Sequence, residues 1–228
     1  MRICRCSQTA MPDFCSMAET VLFDAGAPEK AFSLCRAVLL SGGVIAYPTE
    51  TFYGLGADPR NPAAVKRLFE VKGRRPDQPI LLLLPDVRSV ADWAAEISPT
   101  AKKLMSVFWP GPLTLVFKAR DSVARELTAG TGTIGLRLSG SALVADLLRF
   151  LDMTITGTSA NLSGGRSPET AEMVAETIGS GIDLILDGGK TPGGRPSTVF
   201  DVSVDPPLLV RDGLVAVREI GKQVKIRI

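Results

Sequence analysis

The chain contains no histidine in its 228 residues. That absence excludes a Ser-His-Asp triad, a Cys-His dyad and any metal site built on imidazole. Catalysis must then run on carboxylates, Lys, Arg, hydroxyls, backbone amides or a bound ion. Long apolar runs are also missing. Mean hydropathy is +0.20 and 45% of residues are apolar, yet no run reaches the roughly 18–20 residues needed to span a bilayer. An excess of one charge is lacking too: a net charge of +2 and a pI near 8.4 do not announce a nucleic-acid binder. Cysteine is sparse. Cys4, Cys6 and Cys15 precede the first helical pattern and Cys35 falls within it. Such usage is no disulfide scaffold in a chain of this size and reads as free thiols in a reducing cytosol. Cys4-x-Cys6 has no second ligand pair with which to close a metal site. Met1 to Ala27 lacks the apolar core of a signal peptide. Residues 1–27 read as a loose extension or a translation-start artefact, with Met11 and Met17 as alternative starts.

What is present is enough apolar residue to bury one core. Pro28 suits a first helical turn, Ala31, Leu34, Cys35, Val38 and Leu39 form a helical stripe, and Gly42-Gly43 ends it. Val44 to Tyr47 reads as a buried strand. Asn61-Pro62 opens a second helix. Ile80 to Leu84 has strand length, and helices follow around Val87–Glu96 and Pro99–Phe108. Leu113–Phe117, Ile134–Leu138 and Met153–Thr156 read as strands, with a helix capped by Ser141 between the last two. Ser167-Pro168 opens a helix through Ile178, and Asp183–Leu186, Thr198–Val202 and Leu208–Val210 complete the strands. No repeat or linker divides residues 28–228. The pattern predicts one α/β or α+β domain around a single mixed sheet.

Two motif matches fail on context. Gly130-x-Gly132-x-x-Gly135 has dinucleotide-fingerprint spacing but leads into a strand, not from a strand into a helix. Gly189-Lys190-Thr191 ends like a phosphate-binding loop, but the first glycine of that pattern would fall at Leu184, and Pro192-Gly193-Gly194 prevents a helix; it reads as a flexible loop.

Three polar segments carry more. Pro48 to Gly56 (PTETFYGLG) clusters hydroxyls, a carboxylate and glycines after a buried strand, as a tight turn or a pocket floor would. Lys72-Gly73-Arg74-Arg75-Pro76 ends a helix in a stiffened basic loop, able to grip phosphate or carboxylate or simply to be solvated. Thr156 to Gly165 (TGTSANLSGG) offers hydroxyls and backbone amides near a helix start, suited to anions or to ordinary capping.

In order, the strings YPTETFYGLGAD, KGRRPDQPI, WPGPLTLVF, TIGLRL, TGTSANLSG, PSTVFD and LVRDG resemble the YrdC-like family of threonylcarbamoyl-AMP synthases over roughly Ala31 to Val217. The resemblance implies a YrdC/RibB-like fold, a twisted open mixed sheet with flanking helices and a large concave cavity. It implies a cytoplasmic nucleotidyltransferase that makes threonylcarbamoyl-AMP and pyrophosphate from L-threonine, bicarbonate or CO2, and ATP. A separate tRNA threonylcarbamoyl transferase complex would receive the product. Mg²⁺ is expected with ATP, held by phosphate oxygens rather than by protein side chains.

By position, the resemblance gives Thr51, Arg137, Gly157 and Ser197 to threonine, and Arg74, Gln78, Thr133, Ser159, Ser167 and Arg211 to ATP. Lys72, Arg74, Ser159 and Asn161 form the family's KxR…SxN signature and are expected to be catalytic. Arg75 stands where the family has proline, and Leu83 where many relatives have a histidine. The chain looks like the short, single-domain form. Two other readings stay open: a non-catalytic RNA-binding module, for which weak RNA binding would be the sign, and a carbamoyl-transfer enzyme of related fold.

Overall fold

The computed structural model describes residues 17–228. Cys4, Cys6, Met11 and Cys15 lie outside the described residues. In chain order the elements begin with β1 (Glu19–Leu22), α1 (Pro28–Leu40), β2 (Ile45–Pro48), β3 (Tyr53–Gly56), α2 (Pro62–Lys72) and β4 (Leu82–Leu83). Then come α3 (Val90–Trp93), α4 (Pro99–Phe108), β5 (Leu113–Lys118), α5 (Arg125–Thr128), β6 (Thr133–Arg137) and α6 (Ala142–Leu151). The chain continues with β7 (Ile155–Thr156), β8 (Thr158–Ser159), α7 (Ala171–Ile178), β9 (Leu184–Asp187), β10 (Thr198–Asp201), β11 (Leu208–Arg211) and α8 (Val217–Gly221).

The helix boundaries follow local chemistry. Asn61 Oδ1 accepts from the Ala63 and Ala64 amides, Pro62 supplies a preset first turn, and Gly73 ends α2 in the left-handed region at φ 54°. Ser98 caps α4 and Ser141 caps α6 in the same manner. The helix expected from Ser167 starts later, at Ala171. The Pro168 carbonyl is taken by the Tyr53 amide of β3, and the Thr170 side chain caps the helix instead. The expected Val87–Glu96 helix shrinks to four residues, since Asp86 binds the Arg88 and Ser89 amides and makes a turn there.

The strands form two mixed sheets, not the single sheet expected. A five-stranded sheet has the order β1-β9-β2-β3-β8, and a six-stranded sheet the order β11-β10-β5-β6-β4-β7. All four residues of β2 are buried, with Ile45 and Tyr47 packing toward α1 and α6, and Ala46 toward α2 and α7. Both faces are covered, which is why its sequence reads as an unbroken apolar run. The third core cluster lies on the six-stranded sheet, where Leu115, Leu136 and Phe200 meet Leu104 and Trp93.

Residues 155–159 pass from one sheet to the other. Ile155 and Thr156 pair with β4, Thr158 and Ser159 pair with β3, and the switch is made at Gly157. Its amide donates to the Leu81 carbonyl at 2.8 Å. Part of the stretch read as an extension is also structural: Glu19–Leu22 pairs in parallel with β9, so the sheet begins before Pro28.

Candidate active site

The space between the two sheets is a cavity of about 420 Å³. The five-stranded sheet supplies Tyr53 and Gly54 from β3 and Thr158 and Ser159 from β8; the turn before β3 adds Thr49, Thr51 and Phe52. The six-stranded sheet faces them with Thr114 and Val116 of β5, Thr133, Gly135 and Arg137 of β6, Val199 of β10 and Arg211 of β11. Strand register explains the second wall. Val116 lies opposite Gly135 and Thr114 opposite Val199, so small side chains recur on one face and leave room above the sheet.

Among the described residues, the charged ones that line this cavity are Arg74, Arg137 and Arg211. Arg137 sits at the end of β6, 5% exposed, with no hydrogen-bond partner for Nε or Nη2. Its Nη2 lies 2.9 Å from Glu50 Oε1, an ion-pair contact in which the N–H does not point at the oxygen. A guanidinium on the cavity wall whose own donors are not used up by the protein is suited to an anion. Arg211 donates from Nη2 to the Ser197 carbonyl and hydroxyl at 2.9 and 3.1 Å, and Ser197 Oγ is 2.9 Å from Thr114 Oγ1. Burial of its guanidinium, then repulsion from Arg137, lowers the Arg211 pKa. Arg74 is fixed by bonds to the Gln78 and Pro79 carbonyls at 3.2 and 2.7 Å, and burial lowers its pKa. Arginine stays charged through such shifts, so the site is cationic.

Of the expected site residues, Thr51, Arg137, Gly157, Ser197, Arg74, Thr133, Ser159, Ser167 and Arg211 come together around this one cavity. Three do not line it. Gln78 is exposed and contributes its backbone carbonyl to Arg74. Lys72, 2% exposed, points its amine at the Ser159 and Asn161 carbonyls. Asn161 is buried, and its Nδ2 donates to the Leu162 and Gly165 carbonyls at 2.7 and 2.8 Å. Lys72 and Asn161 therefore shape the loop that carries Ser159.

Burial, followed by the charge of Arg74, brings the Lys72 pKa down from 10.5 to about 7. A neutral amine keeps two N–H donors, which matches its two carbonyl acceptors. The segment read as a flexible loop is tethered as well. Tyr53 Oη donates to the Gly189 carbonyl, the Thr191 amide to the Glu169 carbonyl, and the Gly193 amide to the Thr51 carbonyl.

Sequence reasoning assigned no role to Glu50, Thr114 or Tyr47. Glu50 is the lone acidic side chain in an otherwise apolar and hydroxyl-rich stretch after a buried strand, and that was a usable signal. Thr114 and Tyr47 look in sequence like ordinary strand residues.

A family model described as telomere recombination, Sua5/YciO/YrdC, matches residues 37–213. The chain belongs to the Sua5/YciO/YrdC family. Its curated relatives include the threonylcarbamoyl-AMP synthases of Pyrococcus abyssi (41% identical over 188 residues, 82% of this chain and 55% of that protein) and Bacillus subtilis (40% over 185 residues, 81% and 54%). This family member thus spans about half the length of those two relatives. The synthase of Thiobacillus denitrificans is 40% identical over 168 residues, which cover 74% of this chain and 89% of that protein. Among solved structures, P. abyssi Sua5 complexed with L-threonine superposes with a TM-score of 0.86 at 36% identity, covering 93% of this chain and 63% of that one. Escherichia coli YciO superposes with a TM-score of 0.79 at 27% identity, covering 90% and 98%.

Among the described residues no group of three His, Cys, Asp or Glu could hold a metal ion, and no helix is long and apolar enough to cross a membrane. No carboxylate lines the cavity among the described residues, and Glu50, beside the lining Arg137, is occupied by Arg137, the Ser139 hydroxyl and the Gly140 amide. These side chains do not fit a protein-held Mg²⁺.

Proposed function

We propose that this chain is a threonylcarbamoyl-AMP synthase, a cytoplasmic nucleotidyltransferase that converts L-threonine, bicarbonate and ATP into threonylcarbamoyl-AMP, pyrophosphate and water. The observation that carries the reading is the gathering of Arg74, Arg137 and Arg211 with the hydroxyls of Thr51, Thr133, Ser159, Ser167 and Ser197 around one cavity between the sheets. Carboxylate, carbamate and triphosphate all bring negative oxygens, and a preorganised set of cations and hydroxyls is what such substrates need. Mg²⁺ brought by ATP would offset phosphate charge without a ligand from these side chains.

Arg137 takes the threonine carboxylate from the cavity wall, with Thr51, Ser197 and the backbone at Gly157 around the same ligand. The neutral threonine amine attacks CO2 or bicarbonate to give a carbamate. A carbamate oxygen then attacks the α-phosphorus of ATP, and the bond to pyrophosphate breaks. Arg74, Ser159, Ser167, Thr133 and Arg211 oppose the charge on the phosphates. Lys72 and Asn161 hold Ser159 in place. No side chain acts as a nucleophile, consistent with a chain that lacks histidine. A tRNA threonylcarbamoyl transferase complex consumes the product.

Pyrophosphate release from ATP in the presence of bicarbonate tests this reading. Release that requires L-threonine supports it, and release at the same rate without threonine overturns it. Arg137 is buried, which lends nothing to the RNA-binding alternative.

A further inference from the structure

The turn Thr49–Phe52 is locked internally. Thr49 Oγ1 donates to the Phe52 carbonyl at 2.8 Å and accepts from the Thr51 amide at 3.1 Å. Its two central residues point to different tasks. Thr51 lines the cavity, whereas Glu50 does not and instead reaches the end of β6 and the corner after it. There its carboxylate meets Arg137 Nη2 at 2.9 Å, the Ser139 hydroxyl at 2.5 Å and the Gly140 amide at 3.1 Å. The corner is tight, since a Cβ on Gly140 would stand 3.3 Å from the Gly111 Cα. Burial opposes the Glu50 charge, but Arg137, Ser139 and Gly140 together hold its pKa below the ordinary carboxylate value.

Arg137 has a second electrostatic neighbour, the like-charged Arg211 on the same wall of the cavity. Without a counter-charge behind it, a guanidinium beside another guanidinium on one wall would be repelled from it. Glu50 supplies that counter-charge from outside the cavity, and it does so off the N–H axis, so the donors of Arg137 remain open.

We propose that Glu50 is a positioning residue that aims Arg137 at the amino-acid carboxylate and, through the rigid Thr49–Phe52 turn, fixes the spacing between Arg137 and Thr51. This rests on the reading above that Arg137 meets the threonine carboxylate. Glu50→Gln keeps the shape and removes the charge. It should raise the KM for L-threonine about ten- to hundredfold, as expected when a buried guanidinium loses its counter-charge, with the KM for ATP changed less than about twofold. In an Arg137→Lys background the same substitution should add nothing further, because its effect runs through Arg137. Glu50→Asp should recover part of the loss.

Calorimetric titration of the intact chain with L-threonine separates the two ideas. Absence of threonine binding by the wild-type chain overturns the functional reading, and the positioning role with it. Binding by wild type with equal affinity in Glu50→Gln overturns the positioning role alone. So does an equal rise of both KM values, or losses that multiply in the double variant. If Glu50→Gln fails to fold, Ser139→Ala and Glu50→Asp carry the test: Ser139→Ala should leave threonine affinity within about twofold and Glu50→Asp should weaken it, and the reverse order sinks the proposal.

Discussion

The amine of Lys72 lies 2.8 Å from the Asn161 carbonyl oxygen and also donates to that of Ser159. The bond is returned, since the Ser163 amide donates to the Lys72 carbonyl at 2.8 Å. The end of α2 and the loop after β8 are therefore cross-linked in both directions. The two basic residues of the Lys72-Gly73-Arg74 segment divide their work: Lys72 turns inward to hold the opposite wall, and Arg74, one left-handed glycine later, turns into the cavity.

Lys72→Ala should therefore damage the fold as well as the reaction. It removes a donor from two carbonyls, of which Ser159 keeps the Asn161 amide, and empties the space of a long side chain, a combination worth about 2–4 kcal/mol. For a chain of this size that is a fall in Tm of roughly 5–15 °C. Lys72→Met fills most of the volume and should melt closer to wild type, yet still lose about a hundredfold in turnover, because Ser159 is no longer pinned. A Lys72→Ala protein that melts like wild type would show that the carbonyl contacts contribute nothing.

The same amine makes a pH prediction. Its pKa is about 7 in the fold, against an ordinary 10.5. Between those values the unfolded chain binds more protons at this position than the folded one, so stability from Lys72 rises with pH from about 7 to about 10. Below about 7 both states are protonated and the burial penalty is constant. Urea midpoints measured from pH 6 to 9 should climb more steeply for wild type than for Lys72→Met. Parallel curves would mean that the amine is not suppressed by burial.

Arg74→Ala should behave in the opposite way to Lys72→Ala. Arg74 is partly exposed and bonds only carbonyls of its own loop, at Gln78 and Pro79. Stability should change by no more than about 0.5 kcal/mol, as for other surface positions. Turnover should drop about 10²–10³-fold through the loss of a preorganised donor to phosphate. Differential scanning calorimetry beside the pyrophosphate assay reads both, and a large loss of Tm with little loss of rate would place Arg74 in the scaffold.

The helices and most strands were legible in the sequence because their signals are local. Asn61-Pro62 and Gly73 bound α2, and the unbroken apolar run at Val44–Tyr47 marks β2. What local signals cannot carry is which strand lies beside which. The chain crosses between the two sheets three times, most abruptly at Gly157, and β3 was hidden in a glycine-rich stretch that reads as a turn. β1 was hidden because exposed residues in a short edge strand give no apolar run. In the site, residue types and order located the walls, but direction was invisible. Nothing in Lys72-Gly73-Arg74 or Ser159-Ala160-Asn161 says that Lys72 and Asn161 point away from the cavity.

Gly157 offers the sharpest steric test, because the cavity depends on its having no side chain. A Cβ there would lie 2.7 Å from Leu81 Cδ1 and 2.8 Å from Leu83 Cγ. Leu81 could turn its end away, but Leu83 cannot: it is fully buried, pairs with Ile155 on one side, and stands in register with Arg137 on the other. Gly157→Ala must then push β4 against β6, at a cost of about 1–3 kcal/mol for overpacking. The strand displaced is the neighbour of Arg137, so the KM for L-threonine should rise more than the KM for ATP, and Gly157→Val should exaggerate both effects. Leu83→Ala in the Gly157→Ala background should return part of the lost threonine affinity by opening the space the new methyl needs. Equal threonine affinity in all of these variants would mean that the switch between sheets tolerates a side chain and that Gly157 serves only the backbone turn.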